Sequence, residues 1–262
     1  MARPDLLTLD ALCADWKIWQ RGAGHRFSTD DLLTAVRAAR LRPGARRVLD
    51  LGCGIGSVLL MTAWRLPGAR LLGIEAQEES LALARRSVAH NGVEARVELR
   101  LGDLRDPAAL RAEEHGAFDL VTATPPYIPP GDGVLPRDAQ KAHARFELRG
   151  GIEDYCAAAA RALAPGAPLV CVWAAAQEER ALAAARAAGL APASVWPVIF
   201  RAGQPPLILL MAFERGGDVA RAPRREPPLP MRDAAGRRTA DVIAIRAEMG
   251  MPAGKAKAGG LF

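Results

Sequence analysis

From residue 47 onward, short apolar runs alternate with amphipathic or Ala-rich stretches. Residues 47–52 (RVLDLG), 69–76 (ARLLGIEA), 95–101, 118–124 (FDLVTAT) and 168–173 read as strands of four to eight residues. Between them, residues 57–65, 80–90, 152–163 and 177–188 carry helical patterns. Asn91-Gly92, Ala164-Pro165-Gly166 and Gly189 supply stops. Residues 195–200 and 207–213 read as a closing strand pair. Nearly continuous apolar strands alternating with helices predict a parallel sheet covered on both faces. Right-handed crossovers then make it a doubly wound, mostly parallel α/β sheet with a crevice at the strand C-terminal ends. No internal repeat is evident. The expected organisation is an N-terminal cap or substrate segment (1–47), a core domain (48–214) and a basic C-terminal extension (215–262). In the last, the Pro-, Gly- and Arg-rich stretch 215–230 reads as a linker or arm, and 252–262 as a disordered tail.

Composition narrows this picture modestly. Half of the 262 residues are apolar, enough for a full core, and the Ala/Arg/Gly/Pro bias by itself implies no function. The start of the chain lacks the apolar run of a signal peptide. No stretch approaches the ~18 unbroken apolar residues of a membrane span, so the expectation is a soluble cytoplasmic protein. The four cysteines form no CxxC pair and the four histidines have no ligand spacing, so no metal site is expected. The net charge of +6 is uneven: the first 47 residues and the last 49 are each net +4, while the middle is net −2. Basic ends suit a polyanionic partner, or merely a solvated Arg-rich surface.

The first strand runs directly into Asp50-Leu-Gly52-Cys-Gly54-Ile-Gly56, which opens a helix. Glycines there let the backbone turn tightly and approach a ligand. Glu75 ends the second strand, where a carboxylate can accept hydrogen bonds from both ribose hydroxyls. The dinucleotide fingerprint GxGxxG is not met, because Ser57 stands where its third glycine belongs. The DxGxGxG pattern instead resembles the first motif of class I S-adenosylmethionine (SAM)-dependent methyltransferases, and the likeness extends over residues 48–213. It implies a Rossmann-like sheet of that type and SAM as cofactor. By the resemblance, Glu75 binds the ribose, Asp103 reads the adenine amine, and Asp50, with Gly52, Gly54 and Gly56, lies near the methionine end.

The fourth strand ends in Thr124-Pro125-Pro126-Tyr127. Two prolines fix the backbone and expose the Pro125 carbonyl, and Tyr127 offers a ring on which a planar group can stack. This is similar to the NPPY motif of methyltransferases that modify a planar amino nitrogen in adenine, cytosine or glutamine. Such nitrogens are weak nucleophiles because the lone pair is delocalised. Acceptors on the two N–H groups favour the pyramidal form and stabilise the positive charge that grows during transfer. Positioning for in-line attack supplies much of the remainder, without an acid–base histidine. The departure is Thr124, whose hydroxyl still accepts a hydrogen bond but is shorter than an Asn carboxamide.

Three further segments resemble the bacterial tRNA (adenine-N6) methyltransferases that act beside the valine tRNA anticodon. They are Arg26-Phe-Ser-Thr29-Asp30-Asp-Leu-Leu33, residues 136–147 (PRDAQKAHARFE) and residues 228–249. The resemblance implies Thr29 and Asp30 near the SAM methionine and Arg137 and Arg145 on RNA phosphate or holding the loop after Tyr127. It implies tRNA as partner, with Arg21, Arg26, Arg232, Arg237 and Arg238 as a basic footprint. The rival enzymatic readings are a protein glutamine-N5 methyltransferase, disfavoured by the short stretch before the first strand, and a small-molecule methyltransferase. The non-enzyme reading is a SAM- or RNA-binding module impaired by Thr124.

Overall fold

The structure is a computed structural model that describes residues 6–252. The tail expected to be disordered lies, apart from Pro252, outside the described residues. The chain opens with an antiparallel hairpin, β1 (Leu7–Cys13) and β2 (Trp16–Arg21), followed by helix α1 (Thr29–Leu41). Ser28 caps α1 reciprocally: the Asp30 N–H donates to Oγ of Ser28 and the Ser28 N–H to Oδ2 of Asp31.

Then comes the alternation expected from the sequence: β3 (Arg47–Leu51), α2 (Ser57–Arg65), β4 (Arg70–Glu75), α3 (Glu78–His90), β5 (Val97–Leu101) and β6 (Leu120–Ala123). It continues with α4 (Ala139–Arg145), α5 (Ile152–Ala162), β7 (Pro168–Ala174), α6 (Glu178–Ala187), and the antiparallel pair β8 (Leu190–Ile199) and β9 (Ile208–Arg215). The C-terminal stretch adds two short strands, β10 (Arg224–Arg225) and β11 (Leu229–Pro230), and helix α7 (Ala240–Glu248).

The main sheet has the order β5-β4-β3-β6-β7-β9-β8, with β10 and β11 lying parallel along the outer side of β8. All strands are parallel except β9. The order reverses between β3 and β6, so their C-terminal ends diverge into a crevice. One apolar layer joins α1, α2 and α3 to one sheet face, with Val242 and Ile245 of α7 and its C-cap Met249 in the same cluster. The other layer joins α5 and α6 to the opposite face around Trp173 and Phe213.

The stretch 215–230, expected as a linker or arm, is an arm docked along β8. The Trp196 indole N–H donates to the Pro227 carbonyl at 3.1 Å, and the Arg37 guanidinium pairs with the Glu226 carboxylate and with Oγ of Ser194. The arm covers backbone that would otherwise be an exposed sheet edge. No helix among the described residues is long and apolar enough to cross a membrane.

Candidate active site

A cleft sits at the switch point, with about 820 Å³ of empty space including its open mouth. Its floor is the turn after β3. Gly52, Gly54 and Gly56 all hold positive φ (63°, 56° and 85°), the left-handed region that glycine tolerates. A Cβ on Gly52 would meet Oη of Tyr155 at 2.5 Å. One on Gly54 would meet nothing within 4 Å: it would project into the cleft itself.

The turn is tied to the next strand through Glu75. One carboxylate oxygen accepts the Gly54 N–H at 2.8 Å and the other the Gln77 N–H at 2.7 Å. Each keeps lone-pair capacity for a ligand hydroxyl. Burial raises the Glu75 carboxyl above its usual range against these N–H donors. Asp103, past the end of β5, is held by Arg105 in a two-pronged ion pair (2.9 and 2.6 Å), which lowers its pKa.

Beneath the turn lies Asp50, 2% exposed, with one oxygen accepting the Thr122 hydroxyl at 2.7 Å and the other buried without a partner. Asp31, from the first turn of α1, lines the cleft beside Ser57. Burial, reinforced for Asp50 by repulsion from Asp31 and Glu75, lifts both carboxyls to about 7.

At the end of β6, Thr124 and Pro126 line the same cleft and Pro125 is buried. Tyr127 is held from two sides. Its ring meets Trp173 edge-on (centroids 6.2 Å apart, planes at 80°), and its carbonyl accepts the Gln177 side-chain amide at 3.0 Å. The far wall is α4 and the segment after it: His143, Ala144 and Arg149, whose guanidinium donates to the Ala76 carbonyl at 3.0 Å. His25 closes the rim. Burial, then the charges of Arg145 and Lys141, pushes its pKa down to about 4, so the imidazole is neutral at neutral pH.

The cleft thus brings together Gly52, Gly54, Glu75, Asp103, Thr124 and Pro126, with Asp50, Gly56 and Tyr127 directly behind or beside them. It does not take in Thr29, which lines a separate depression beside the hairpin. Asp30 stands beyond the cleft wall, near enough for its charge to act on Tyr127. Their neighbour Asp31 faces the cleft instead.

Arg26 and Arg21 are engaged on the hairpin side, Arg26 with Asp10 and Arg21 with Glu79 and Asp138. Arg137, just before α4, and Arg145, its last residue, are both exposed. Arg232, Arg237 and Arg238 do not line the cleft; they lie in the loop that follows β11. The sequence reading missed Asp31, His25, His143, Gln177 and Arg149. Only Asp31 had a local signal, the Ser28-x-x-Asp31 capping pattern.

A doubly wound sheet with this strand order and a glycine-lined, acid-walled cleft at the switch point defines a class I methyltransferase fold. Residues 48–134 match the family described as "Methyltransferase domain". The chain is 34% identical over 142 residues to a release factor glutamine methyltransferase of Geobacter sulfurreducens, covering 53% of this chain and 46% of that one. It is 30% identical over 148 residues to a tRNA1(Val) (adenine(37)-N6)-methyltransferase of Porphyromonas gingivalis, covering 56% and 57%. The chain thus spans about half the length of these relatives. A crystal structure of a predicted O-methyltransferase from Agrobacterium tumefaciens superposes with a TM-score of 0.63 at 21% identity, covering 85% of this chain and 98% of that one.

The cleft fits SAM chemically. The open side of Gly54 gives backbone-close space, Glu75 retains acceptor capacity, and the unpartnered oxygen of Asp50 with Asp31 supplies negative potential for a cationic ligand. When bound, SAM supplies an electrophilic methyl on a positively charged sulfur.

Proposed function

We propose that this protein methylates a planar amino nitrogen, and that its substrate is an adenine N6 in tRNA. The observation that carries the reading is the Thr124–Tyr127 turn. It stands at the end of β6, against the glycine turn of β3, with its aromatic ring braced by Trp173.

In this reading Glu75 holds ribose hydroxyls and Asp103 the adenine amine of the cofactor. Asp31 and Asp50 hold its cationic amino-acid end. The Thr124 hydroxyl and the Pro125 carbonyl accept the two N–H groups of the target amine, which sharpens its lone pair. Tyr127 stacks on the target ring and fixes the direction of attack. A base can enter only if it is splayed from its neighbours, as in an RNA loop. The exposed arginines at the two ends of α4, Arg137 just before it and Arg145 as its last residue, offer phosphate contacts at the mouth.

A second reading, protein glutamine-N5, is favoured by the Geobacter relative and uses the same acceptor geometry on a carboxamide. The experiment that separates them is methyl transfer from labelled SAM to unmodified bulk tRNA and, in parallel, to a glutamine-containing peptide, with the products resolved by mass spectrometry. The expected outcome is labelled N6-methyladenosine, reduced at least 100-fold by Tyr127→Ala or Asp103→Ala. Label in the peptide alone overturns the tRNA reading.

A further inference from the structure

Strand direction puts a second feature on the same rim as the cleft. β8 runs parallel to β7, so its last residue, Ile199, lies at the cleft end of the sheet, and the turn 200–207 rises from there. β11 is also parallel to β8, pairing Pro230 with Ile199, so the loop that follows it rises beside that turn. The two loops are fastened together. The Met231 N–H donates to the Ile199 carbonyl at 2.7 Å and the Ala202 N–H to the Arg232 carbonyl at 2.8 Å. A bridge between Arg232 and Arg238 closes the second loop into a small hairpin, and Arg232 also donates to the Gly236 carbonyl.

The result is a double loop bearing Arg201, Arg232, Arg237 and Arg238, with Asp233 as the acid within it. Arg238 is close enough to Arg246 for its charge to add to burial in lowering the pKa of that guanidinium. Phe200, 37% exposed, and Leu207, 60% exposed, stand at the feet of the same turn. Arginine forks beside an exposed aromatic ring suit phosphates and an unstacked base together; a peptide or a mononucleoside needs neither at this distance. From the Thr124 end of β6 to β11 there are four strand spacings, roughly 19 Å at ~4.8 Å each. A phosphate backbone spans that gap in about six stacked nucleotides at ~3.4 Å per step.

We propose that the double loop 200–207/231–238 is a second RNA-anchoring surface, gripping the phosphate backbone roughly six nucleotides from the base presented to Tyr127. It rests on the RNA reading of the cleft, and it makes the C-terminal arm part of the substrate platform.

The test uses the full chain, an unmodified tRNA transcript and the triple variant Arg201→Glu/Arg232→Glu/Arg237→Glu. Binding is followed by fluorescence anisotropy from about 50 to 200 mM salt, and methylation by steady-state kinetics. The triple variant is expected to weaken tRNA binding at least tenfold and to raise KM in proportion. It should leave SAM affinity within twofold and flatten the log–log salt slope by about three, one per lost phosphate contact. Arg201→Glu alone, on the other loop from the Arg232–Gly236 contact, should act in the same direction. Phe200→Ala should cost about fivefold in binding with the salt slope unchanged.

If tRNA is methylated with KM and salt slope untouched by the triple variant, the surface is a solvated face and the proposal falls, while the tRNA reading stands. If the wild type neither binds nor methylates tRNA, both fall. If it binds tRNA through these arginines but methylates only the peptide, the anchoring surface stands and the adenine reading falls.

Discussion

At the scale of single residues, the unusual feature is the pair of carboxyls beneath the glycine turn. Asp31 and Asp50 are both buried, repel one another and are pushed to about 7, with one Asp50 oxygen lacking any partner. Both pKa values are raised above those of the unfolded chain, so the folded protein holds protons that the unfolded one has lost between about pH 4 and pH 7. That contribution to stability is greatest at the acidic end and disappears as the pH rises through about 7. Binding a cation favours the ionised form. The affinity for SAM is therefore expected to rise with pH, by about tenfold from pH 6 to pH 8 for one proton released at a site of pKa ~7. Calorimetry in two buffers of different ionisation enthalpy counts that proton. Asp50→Asn should bind SAM more weakly and flatten the pH dependence, whereas an unchanged slope in Asp50→Asn would assign the proton elsewhere.

At the scale of elements, the arm is held to the core by one charge pair that is mostly out of water. The Arg37 and Glu226 side chains are 7% and 14% exposed, and Arg37 also packs against the Trp196 ring. Removing one partner strands the other charge, so Arg37→Ala should cost about 3 kcal/mol in urea denaturation, and replacing both partners by methionine should recover most of it.

The same arm marks the limit of what the sequence reveals. Strands and helices between residues 47 and 213 are legible because each buries a face that the local pattern announces; α2 falls on residues 57–65 as expected. The arm's docking depends on Leu229, Pro227 and Glu226 meeting β8 and α1, pairings with no local pattern. The β1–β2 hairpin is hidden for a related reason. Its turn places Ala14, not Gly or Asn, at positive φ (46°), and the support is tertiary: the Ala14 N–H donates to the Met249 carbonyl at 3.2 Å. In the site, the glycine turn, Glu75, Asp103 and Thr124–Tyr127 were legible because strand ends converge at a switch point. His25, His143 and Gln177 arrive from loops and helices whose approach the sequence does not encode locally.

At the scale of the whole molecule, the two basic ends are parts of one packed body. Gly250 abuts Ala14 in the hairpin, and Glu248 of α7 pairs with Arg40 of α1 and Arg65 of α2. Leu229, Val242, Ile245 and Met249 are each at most 3% exposed within the cluster that includes α1. At about 2 kcal/mol for each buried side chain, their loss would remove roughly 8 kcal/mol, an upper estimate but comparable to the ~5–15 kcal/mol that holds an ordinary domain together. The chain should therefore unfold as one cooperative unit. In urea, far-ultraviolet circular dichroism and tryptophan fluorescence are expected to give coincident transitions, because Trp16 and Trp19 report on the hairpin, Trp64 and Trp173 on the core, and Trp196, bonded to Pro227, on the docked arm. Deleting residues 216–262 should abolish that transition rather than trim it, and SAM binding with it, since α1, which carries Asp31 into the cleft, loses the layer that α7 and Leu229 place over it. A truncated chain that still unfolded cooperatively and still bound SAM would show that the arm is an accessory to the core and not a wall of it.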